Sequence, residues 1–143
     1  MIARRSTDPV ELALRGAVAA LTVATAWIHF SLGGLLFTLN GLGYTTLAVA
    51  LVVPISIATR FRWLVRLALL GFTAMTIAGW VAFGARYDVA YIDKGLELLL
   101  IGLLLADIWR ADGGIVEALR RLIGLAASLL GWRPGKEAAA DSK

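Results

Sequence analysis

Four long apolar runs, separated by short polar or glycine-containing segments, occupy most of the first 110 residues. The runs lie at about 10–32, 35–57, 63–83 and 89–109. A helix needs roughly 20 predominantly apolar residues to cross the hydrocarbon core of a bilayer. The pattern therefore predicts an all-α protein, a four-helix transmembrane bundle in residues 1–110 whose helices run up, down, up and down.

A helix start signal precedes the first run. Asp8 is suited to cap the helix, Pro9 to occupy its first position, and Glu11 stands three residues after Asp8 as in a capping box. Gly33 and Gly34 provide a break before the second run. The first span is therefore predicted to begin near residue 10 and to end at about residue 32.

The composition agrees with a membrane location. Hydrophobic residues make up 59% of the 143 residues, and the mean hydropathy is +0.80, whereas a soluble domain is about half apolar. The chain has no cysteine, which excludes disulfides, thiolate metal sites and cysteine nucleophiles. Its net charge of +4 comes from basic residues spread between the apolar runs rather than from one patch, so a nucleic-acid partner is not expected.

The basic residues predict an orientation. If the N-terminus is cytoplasmic, only Arg86 and Lys94 lie on the outer side. Such an imbalance is typical of the positive-inside rule, and it predicts a multi-pass protein of the bacterial cytoplasmic membrane with both termini in the cytoplasm. The basic residues expected on the inner side are Arg4, Arg5, Arg15, Arg60, Arg62, Arg66, Arg110, Arg120, Arg121, Arg133, Lys136 and Lys143.

A cleaved signal peptide is the alternative for the first run. Ala24-Thr25-Ala26 resembles a cleavage site after a short apolar segment. Asp8 and Glu11 are unusual in the charged region of a signal peptide, and the apolar run continues past the site. These features favour an uncleaved first span.

Residues 112–132 predict a different kind of helix, with one apolar half and one polar half. Arg120 and Arg121 lie on the polar half and Trp132 at its edge, as in helices that lie on an anionic membrane surface. A helix that docks on a partner protein has the same pattern. Asp112-Gly113-Gly114 supplies a turn where a helix leaves the bilayer, and residues 133–143 are predicted to be a disordered polar tail.

The polar residues of the first and fourth spans form two stripes at helical spacing. One stripe joins Arg15 to His29, and the other joins Asp93 to Asp107 through Glu97. Each stripe is about 21 Å long. We therefore expect these two helices to pack antiparallel, with Arg15 paired to Asp107 and His29 paired to Asp93 or Glu97, so that no ionic group faces lipid.

The outer half of this predicted bundle gathers six polar residues, which allow two interpretations. As a structural cluster, they fix helix register, with Glu97 paired to Lys94 or His29. As a site, they form a small pocket that binds a ligand, a quinone head group or a proton. The six residues are His29, Asn40, Tyr44, Asp93, Lys94 and Glu97.

No catalytic or cofactor motif accompanies this cluster. A single histidine cannot ligate a haem from both sides, and it would hold a metal only together with Asp93, Glu97 or a ligand from another chain. The sequence lacks a serine–histidine–acid arrangement, a phosphate-binding loop and a dinucleotide fingerprint. We therefore predict a protein without enzymatic activity, metal or cofactor.

The segments "IHFSLGGLLFTLNGLGY" and "GFTAMTIAGWVAFGARYDVAYIDKGLELLL" resemble an uncharacterised family of short four-span bacterial membrane proteins. The resemblance covers most of the chain up to Asp107 and leaves out the amphipathic helix. It implies the four-span fold and the importance of Asn40, Gly41 and Glu97, and it implies no mechanism.

Three functions follow as hypotheses. The first is an accessory or scaffolding subunit of a bacterial membrane complex, with a membrane protein or a second copy of the chain as its partner. The second is binding or transport of a small molecule, quinone or proton by the outer cluster. The third is sensing of anionic lipid or membrane curvature by the amphipathic helix.

Overall fold

The computed structural model describes residues 8–131 of the chain. Within them, every regular element is a helix: α1 (Pro9–Leu32), α2 (Leu35–Val52), α3 (Ser56–Arg60), α4 (Arg62–Phe83), α5 (Asp88–Asp112) and α6 (Ile115–Leu129). The all-α class expected from the sequence is confirmed. Trp132 and the tail 133–143 lie outside the described residues, as does the prediction of a disordered tail.

The start of α1 is the one that the sequence predicts. Asp8 is the N-cap, its carboxylate accepts a 3.0 Å hydrogen bond from the backbone N–H of Val10, and Pro9 occupies the first turn. This hydrogen bond lowers the pKa of the Asp8 carboxyl, and the Arg110 guanidinium lowers it further. Glu11 does not complete a capping box, because its side chain pairs with Arg15 one turn later.

Two glycines separate α1 from α2. Gly33 and Gly34 have φ of 69° and 83°, values that L side chains rarely adopt. The chain therefore reverses direction within these two residues, and α2 begins directly at Leu35.

The second predicted span, 35–57, is shorter in the structure. α2 ends at Val52, Val53 and Ile55 are extended, and α3 begins a separate short helix at Ser56. Pro54 explains the break, because proline lacks an N–H and its ring excludes the helical conformation at the preceding residue. The expectation of a continuous helix to residue 57 was wrong for this reason.

The four long helices contact one another in a closed ring. α1 packs on α2 and α5, and α4 packs on the same two helices. The predicted neighbourhood of the first and last long helices is therefore confirmed. The core between them is apolar at most levels and contains Val18, Ala26, Tyr44, Leu51, Leu69, Leu100 and Leu104.

The helix faces that are turned away from the core carry many exposed apolar side chains, among them Trp27, Leu35 and Met75. Three helices of the described chain, α1, α2 and α4, are long and apolar enough to cross a membrane. This is the property of a membrane protein, because a water-soluble domain rarely leaves so much contiguous apolar surface uncovered. α5 is the longest helix, and its charged residues keep it out of this group.

α6 follows a turn at Gly113 and Gly114, whose φ values are 82° and 107°. It packs against α5 and α4 and buries Ala118. Val116, Ile123 and Leu129 stay exposed on its surface, so α6 keeps an apolar face that the described chain does not cover.

Candidate functional site

The two stripes predicted from the sequence are buried. On α5, Asp93, Glu97 and Asp107 are at most 2% exposed, and Leu100 and Leu104 between them are fully buried. On α1, Val18, Thr22, Thr25 and His29 are likewise buried, and Arg15 at the other end is partly buried. The ionic groups of the α5 stripe therefore point into the protein, as the sequence analysis predicted.

Glu97 is the most fully coordinated group of the outer cluster. Its Oε1 accepts hydrogen bonds from the Tyr44 hydroxyl at 2.8 Å and the Thr76 hydroxyl at 2.9 Å. Its Oε2 accepts a 2.6 Å hydrogen bond from Lys94 Nζ. Glu97 therefore joins α5 to α2 and α4, and a fully buried carboxylate is stable there because each oxygen has a donor.

Asp93 and His29 form the second half of the cluster. Lys94 Nζ lies 2.9 Å from Asp93 Oδ2, so one ammonium serves both carboxylates. His29 Nδ1 lies 2.9 Å from the carbonyl oxygen of Thr25 and 3.7 Å from Asp93 Oδ1. The predicted approach of His29 to Asp93 is therefore present, at a separation longer than a hydrogen bond.

His29 lies beside Asp93, in a cluster that also contains the Glu97 carboxylate and the Lys94 ammonium. A ring that donates from Nδ1 to the Thr25 carbonyl leaves Nε2 as an acceptor. The cluster therefore contains an imidazole nitrogen that accepts hydrogen bonds in addition to the carboxylate oxygens.

A cavity of about 410 Å³ opens beside this cluster, between the outer ends of the four long helices. Aromatic side chains form much of its wall, including Phe37, Phe72, Trp80, Phe83 and Tyr87. Its polar part consists of His29, Asn40, Thr76, Asp93 and Lys94. The volume and the mixture of apolar wall with few polar groups are typical of small-molecule sites.

One polar atom at this cavity has no partner. Asp93 Oδ1 is buried and accepts no hydrogen bond from the described residues. Asn40 borders the cavity and is half-buried, and Tyr44 is fully buried behind it. Asp93, which lines the cavity, thus carries a buried acceptor without a donor, whereas both carboxylate oxygens of Glu97 accept hydrogen bonds.

Three side chains of the cluster also meet the geometry for a metal ion. Ligand atoms of His29, Asp93 and Glu97 lie within 4.8 Å of one another. The Lys94 ammonium contacts both carboxylates, however, and a divalent cation between them would have to displace it. The residues present therefore do not fit a metal, because Lys94 already supplies the positive charge that a cation would bring.

At the end of the molecule that carries α3 and α6, called the inner end below, the ion pairs differ from those predicted from the sequence. Arg15 pairs with Glu11 at 2.7 Å within α1, and Asp107 pairs with Arg66 of α4 at 2.7 Å. The predicted Arg15–Asp107 pair was therefore wrong. Matching depth along two helices does not fix the rotation of each helix, and Asp107 faces α4.

Arg66 is the residue that the sequence analysis missed most clearly. It is 4% exposed and contacts Asp112 at 3.2 Å as well as Asp107. An arginine one turn inside an apolar span is an unusual signal, and it could have been matched to the acidic end of the fourth span. Thr76, whose hydroxyl contacts Glu97, was likewise not among the six residues of the predicted cluster.

The predicted lipid-surface arginines are placed in two different environments. Arg120 is exposed on α6, with Glu117 as its nearest carboxylate at 3.9 Å. Arg121 lies 3.7 Å from Asp112 Oδ1, so its head group is turned toward α5. Trp132, the third residue of that prediction, lies outside the described residues.

Comparisons of this chain with protein-family models, with curated proteins and with solved structures find no match. The resemblance to four-span bacterial proteins stays a prediction, and functional inference depends on the geometry above.

Proposed function

We propose that this chain is a multi-pass membrane protein that binds a small aromatic molecule carrying a hydroxyl group in the cavity beside His29 and Asp93. The observation that carries the proposal is the buried Asp93 Oδ1, an acceptor without a donor at the polar end of a cavity with aromatic walls. This is the small-molecule hypothesis of the sequence analysis, narrowed to one ligand class. The accessory-subunit hypothesis stays a prediction.

In this proposal α5 crosses the membrane with α1, α2 and α4. Its 25 residues span about 37 Å, which exceeds the hydrocarbon thickness. Its charged groups at membrane depth are buried against other helices, while Ile92, Leu98 and Leu99 are exposed and suited to lipid. By composition alone, α5 is not a candidate membrane span, because it carries too many charged residues. Since those at membrane depth are buried, they do not prevent α5 from crossing.

The basic residues support one orientation for these four crossings. Of the basic residues in the described chain, Arg86 and Lys94 lie toward one end of the molecule, and the others lie toward the end that carries α3 and α6: Arg15, Arg60, Arg62, Arg66, Arg110, Arg120 and Arg121. In this proposal α3 and α6 lie on the cytoplasmic side of a bacterial inner membrane, in agreement with the positive-inside rule.

Three serine positions test the crossings, since the chain has no cysteine to interfere. Ser31→Cys, Ser56→Cys and Ser128→Cys report the end of α1, the start of α3 and the end of α6. In intact cells, an impermeant maleimide is expected to label the variant at Ser31 and to spare the other two until the membrane is permeabilised. Labelling at Ser128 in intact cells, with Ser56 still protected, would mean that α5 does not cross.

The ligand class follows from the groups that border the cavity. Asp93 Oδ1 requires a donor, and Nε2 of a neutral His29 accepts a hydrogen bond as well. A phenol or quinol ring supplies an O–H donor at one edge and a flat face for the walls formed by Phe72 and Trp80. An ether or a hydrocarbon of the same shape lacks the donor and leaves Asp93 Oδ1 unsatisfied.

A matched pair of probes tests this assignment. We expect 4-butylphenol to bind the purified chain in nanodiscs about tenfold more tightly than 4-butylanisole, measured by native mass spectrometry. In Asp93→Asn, Lys94 is expected to retain the amide oxygen, so an NH₂ group replaces the open acceptor and the preference for the phenol is lost. Asp88→Asn, at an exposed position of the same helix, is the control and should keep it.

Equal binding of the two probes to the unmodified chain would contradict the proposal. Loss of the preference in both Asp variants would also contradict it, because the effect would then reflect net charge rather than the acceptor in the cavity.

A further inference from the structure

A second cavity, of about 270 Å³, lies at the opposite end of the molecule from the aromatic cavity. Five helices contribute to its wall, and its chemistry is polar. The charged residues that line it are four arginines, Arg60, Arg62, Arg66 and Arg121, and two acids, Glu11 and Asp112. We call it the arginine cavity.

The two acids do not neutralise the arginine cavity. Glu11 is paired with Arg15, 2.7 Å away. Asp112 is shared between Arg66 at 3.2 Å and Arg121 at 3.7 Å, and Arg66 is also bound to Asp107. The cavity therefore carries an excess of positive charge after its own ion pairs are counted.

Arg60 and Arg62 account for this excess. Within residues 8–131, neither guanidinium has a carboxylate within 4.0 Å. Arg62 Nε is buried and donates no hydrogen bond to the described residues. A buried charged donor without an acceptor is costly, so the site is suited to an anion that supplies oxygen acceptors.

We propose that the arginine cavity binds a phosphate group and that the phosphate belongs to an anionic membrane lipid. Guanidinium groups bind phosphate oxygens through paired, parallel hydrogen bonds, which explains several arginines converging on one space. Val10 and Leu12 of α1 and Ile57 of α3 are exposed and lie close in sequence to residues that line the cavity, so acyl chains have apolar surface beside the site. The inference is independent of the aromatic cavity and of its ligand.

The experiment uses the full chain, delipidated in nonionic detergent, with dioleoylphosphatidylglycerol and dioleoylphosphatidylcholine as probes and native mass spectrometry as the readout. Phosphatidylglycerol is expected to bind more tightly, because the choline group adds a positive charge to the other lipid. The Arg60→Gln/Arg62→Gln variant should bind phosphatidylglycerol about tenfold more weakly. Arg120→Gln, which removes an exposed arginine of α6 outside the cavity, should stay within about twofold of the unmodified chain.

If the double variant fails to fold, Arg60→Gln alone still tests the proposal. This variant should fold, because Arg60 is exposed and makes no ion pair in the described chain. It should lower the affinity by about threefold. Inorganic phosphate, added as a competitor, identifies the source of the group. Displacement of the lipid by an equal concentration of phosphate would overturn the lipid as that source, because the acyl chains would then add nothing to binding; displacement only by a large excess of phosphate would support it.

Equal phosphatidylglycerol affinity in Arg60→Gln, Arg60→Gln/Arg62→Gln and Arg120→Gln would overturn the proposal. Equal binding of phosphatidylcholine and phosphatidylglycerol to the unmodified chain would also overturn it, because the excess positive charge would then have no role in binding.

Discussion

The two ends of this protein each bury two carboxylates, and they balance them in different ways. At the outer end, Asp93 and Glu97 share Lys94, which belongs to the same helix. At the inner end, Asp107 and Asp112 share Arg66, which belongs to a different helix. The outer balance is therefore local to α5, whereas the inner balance depends on the packing of α4 against α5.

The cations also differ in chemistry. An ammonium is a compact charge on a flexible stem, whereas a guanidinium donates in a fixed plane. Arg66 donates from Nε to Asp107 and from Nη1 to Asp112, so the relative position of α4 and α5 is fixed by two directed bonds. Each end leaves one buried carboxylate oxygen without a donor from the described residues, Asp93 Oδ1 and Asp107 Oδ1. Asp93 lines the aromatic cavity, whereas Asp107 lines neither cavity, and the inner end also leaves Arg60 and Arg62 without carboxylate partners in the described chain. The outer end is thus suited to a hydrogen-bond donor and the inner end to an anion.

Removal of Arg66 should have the largest effect. In Arg66→Met, Asp107 is fully buried and loses its cation, and we expect a loss of about 3–5 kcal/mol of unfolding free energy, measured by denaturation in mixed micelles. Arg62→Met is the matched control, since Arg62 makes no ion pair in the described chain, and it should change stability much less. The Arg66→Met/Asp107→Leu variant should recover most of the loss. Equal losses in Arg66→Met and Arg62→Met would contradict the cross-helix ion pair.

Replacement of Glu97 should come next. In Glu97→Gln, the amide oxygen can still accept from the Lys94 ammonium, but the side-chain NH₂ then faces the Tyr44 and Thr76 hydroxyls, which lose a charged acceptor and must accept instead of donating. We expect a loss of about 2 kcal/mol of unfolding free energy. Binding of 4-butylphenol should be unchanged, because Glu97 is not among the residues that line the cavity. The control is Glu117→Gln on the exposed face of α6.

The same experiment also tests whether Glu97 only supports the binding site or is part of it. If a still-folded Glu97→Gln variant loses the preference for the phenol, Glu97 belongs to the binding site rather than to its support.

The sequence predicted which carboxylates are buried better than it predicted their partners. Helical spacing placed Asp93, Glu97 and Asp107 on one face, and all three are buried, because the cost of a charge facing lipid leaves few alternatives. The same spacing carried no information on which helix each carboxylate faces. Arg66 and Thr76 were therefore missed as partners, and both lie on α4, the helix to which no pairing was assigned.

Local chain breaks were predicted where a backbone constraint acts within the sequence. Gly33, Gly34, Gly113 and Gly114 all adopt the positive φ that their turns require. The break at Pro54 was not predicted, since the apolar run continues past it to Ile57. A small polar pocket at the outer cluster was one of the two interpretations of the sequence, and His29, Asn40 and Asp93 do line a cavity. The aromatic wall of that cavity and the whole arginine cavity were beyond sequence reasoning, because each cavity is formed by side chains from four or more elements.

The hydrogen bonds from α2 and α4 to Glu97 should contribute less than its charge. We expect Tyr44→Phe and Thr76→Val to cost about 1 kcal/mol of unfolding free energy each. Their effects should not add in the double variant, because both hydroxyls contact Glu97 Oε1 and lie 2.9 Å from each other. Strict additivity in this double-mutant cycle would contradict a shared acceptor.

The smallest effect should come from replacing Asp8, an exposed carboxylate at the same end of the molecule as Asp107 and Asp112. Asp8 pairs with Arg110 at 2.8 Å and links the start of α1 to the end of α5, but both side chains are nearly half exposed. Solvent therefore weakens this pair, and Asp8→Asn should lower the melting temperature only slightly at neutral pH.

The pKa of Asp8 lies below its ordinary value of 3.8 in the folded chain, so the folded state binds this proton less readily than the unfolded state. Its contribution to stability is thus present above pH 3.8 and is lost as the pH falls through the folded pKa. The difference between the variant and the unmodified chain should shrink in acid, whereas Asp88→Asn, at an exposed position without a carboxylate–arginine pair in the described chain, should show no comparable trend. A difference that grows in acid would contradict the lowered pKa of Asp8 in the folded chain.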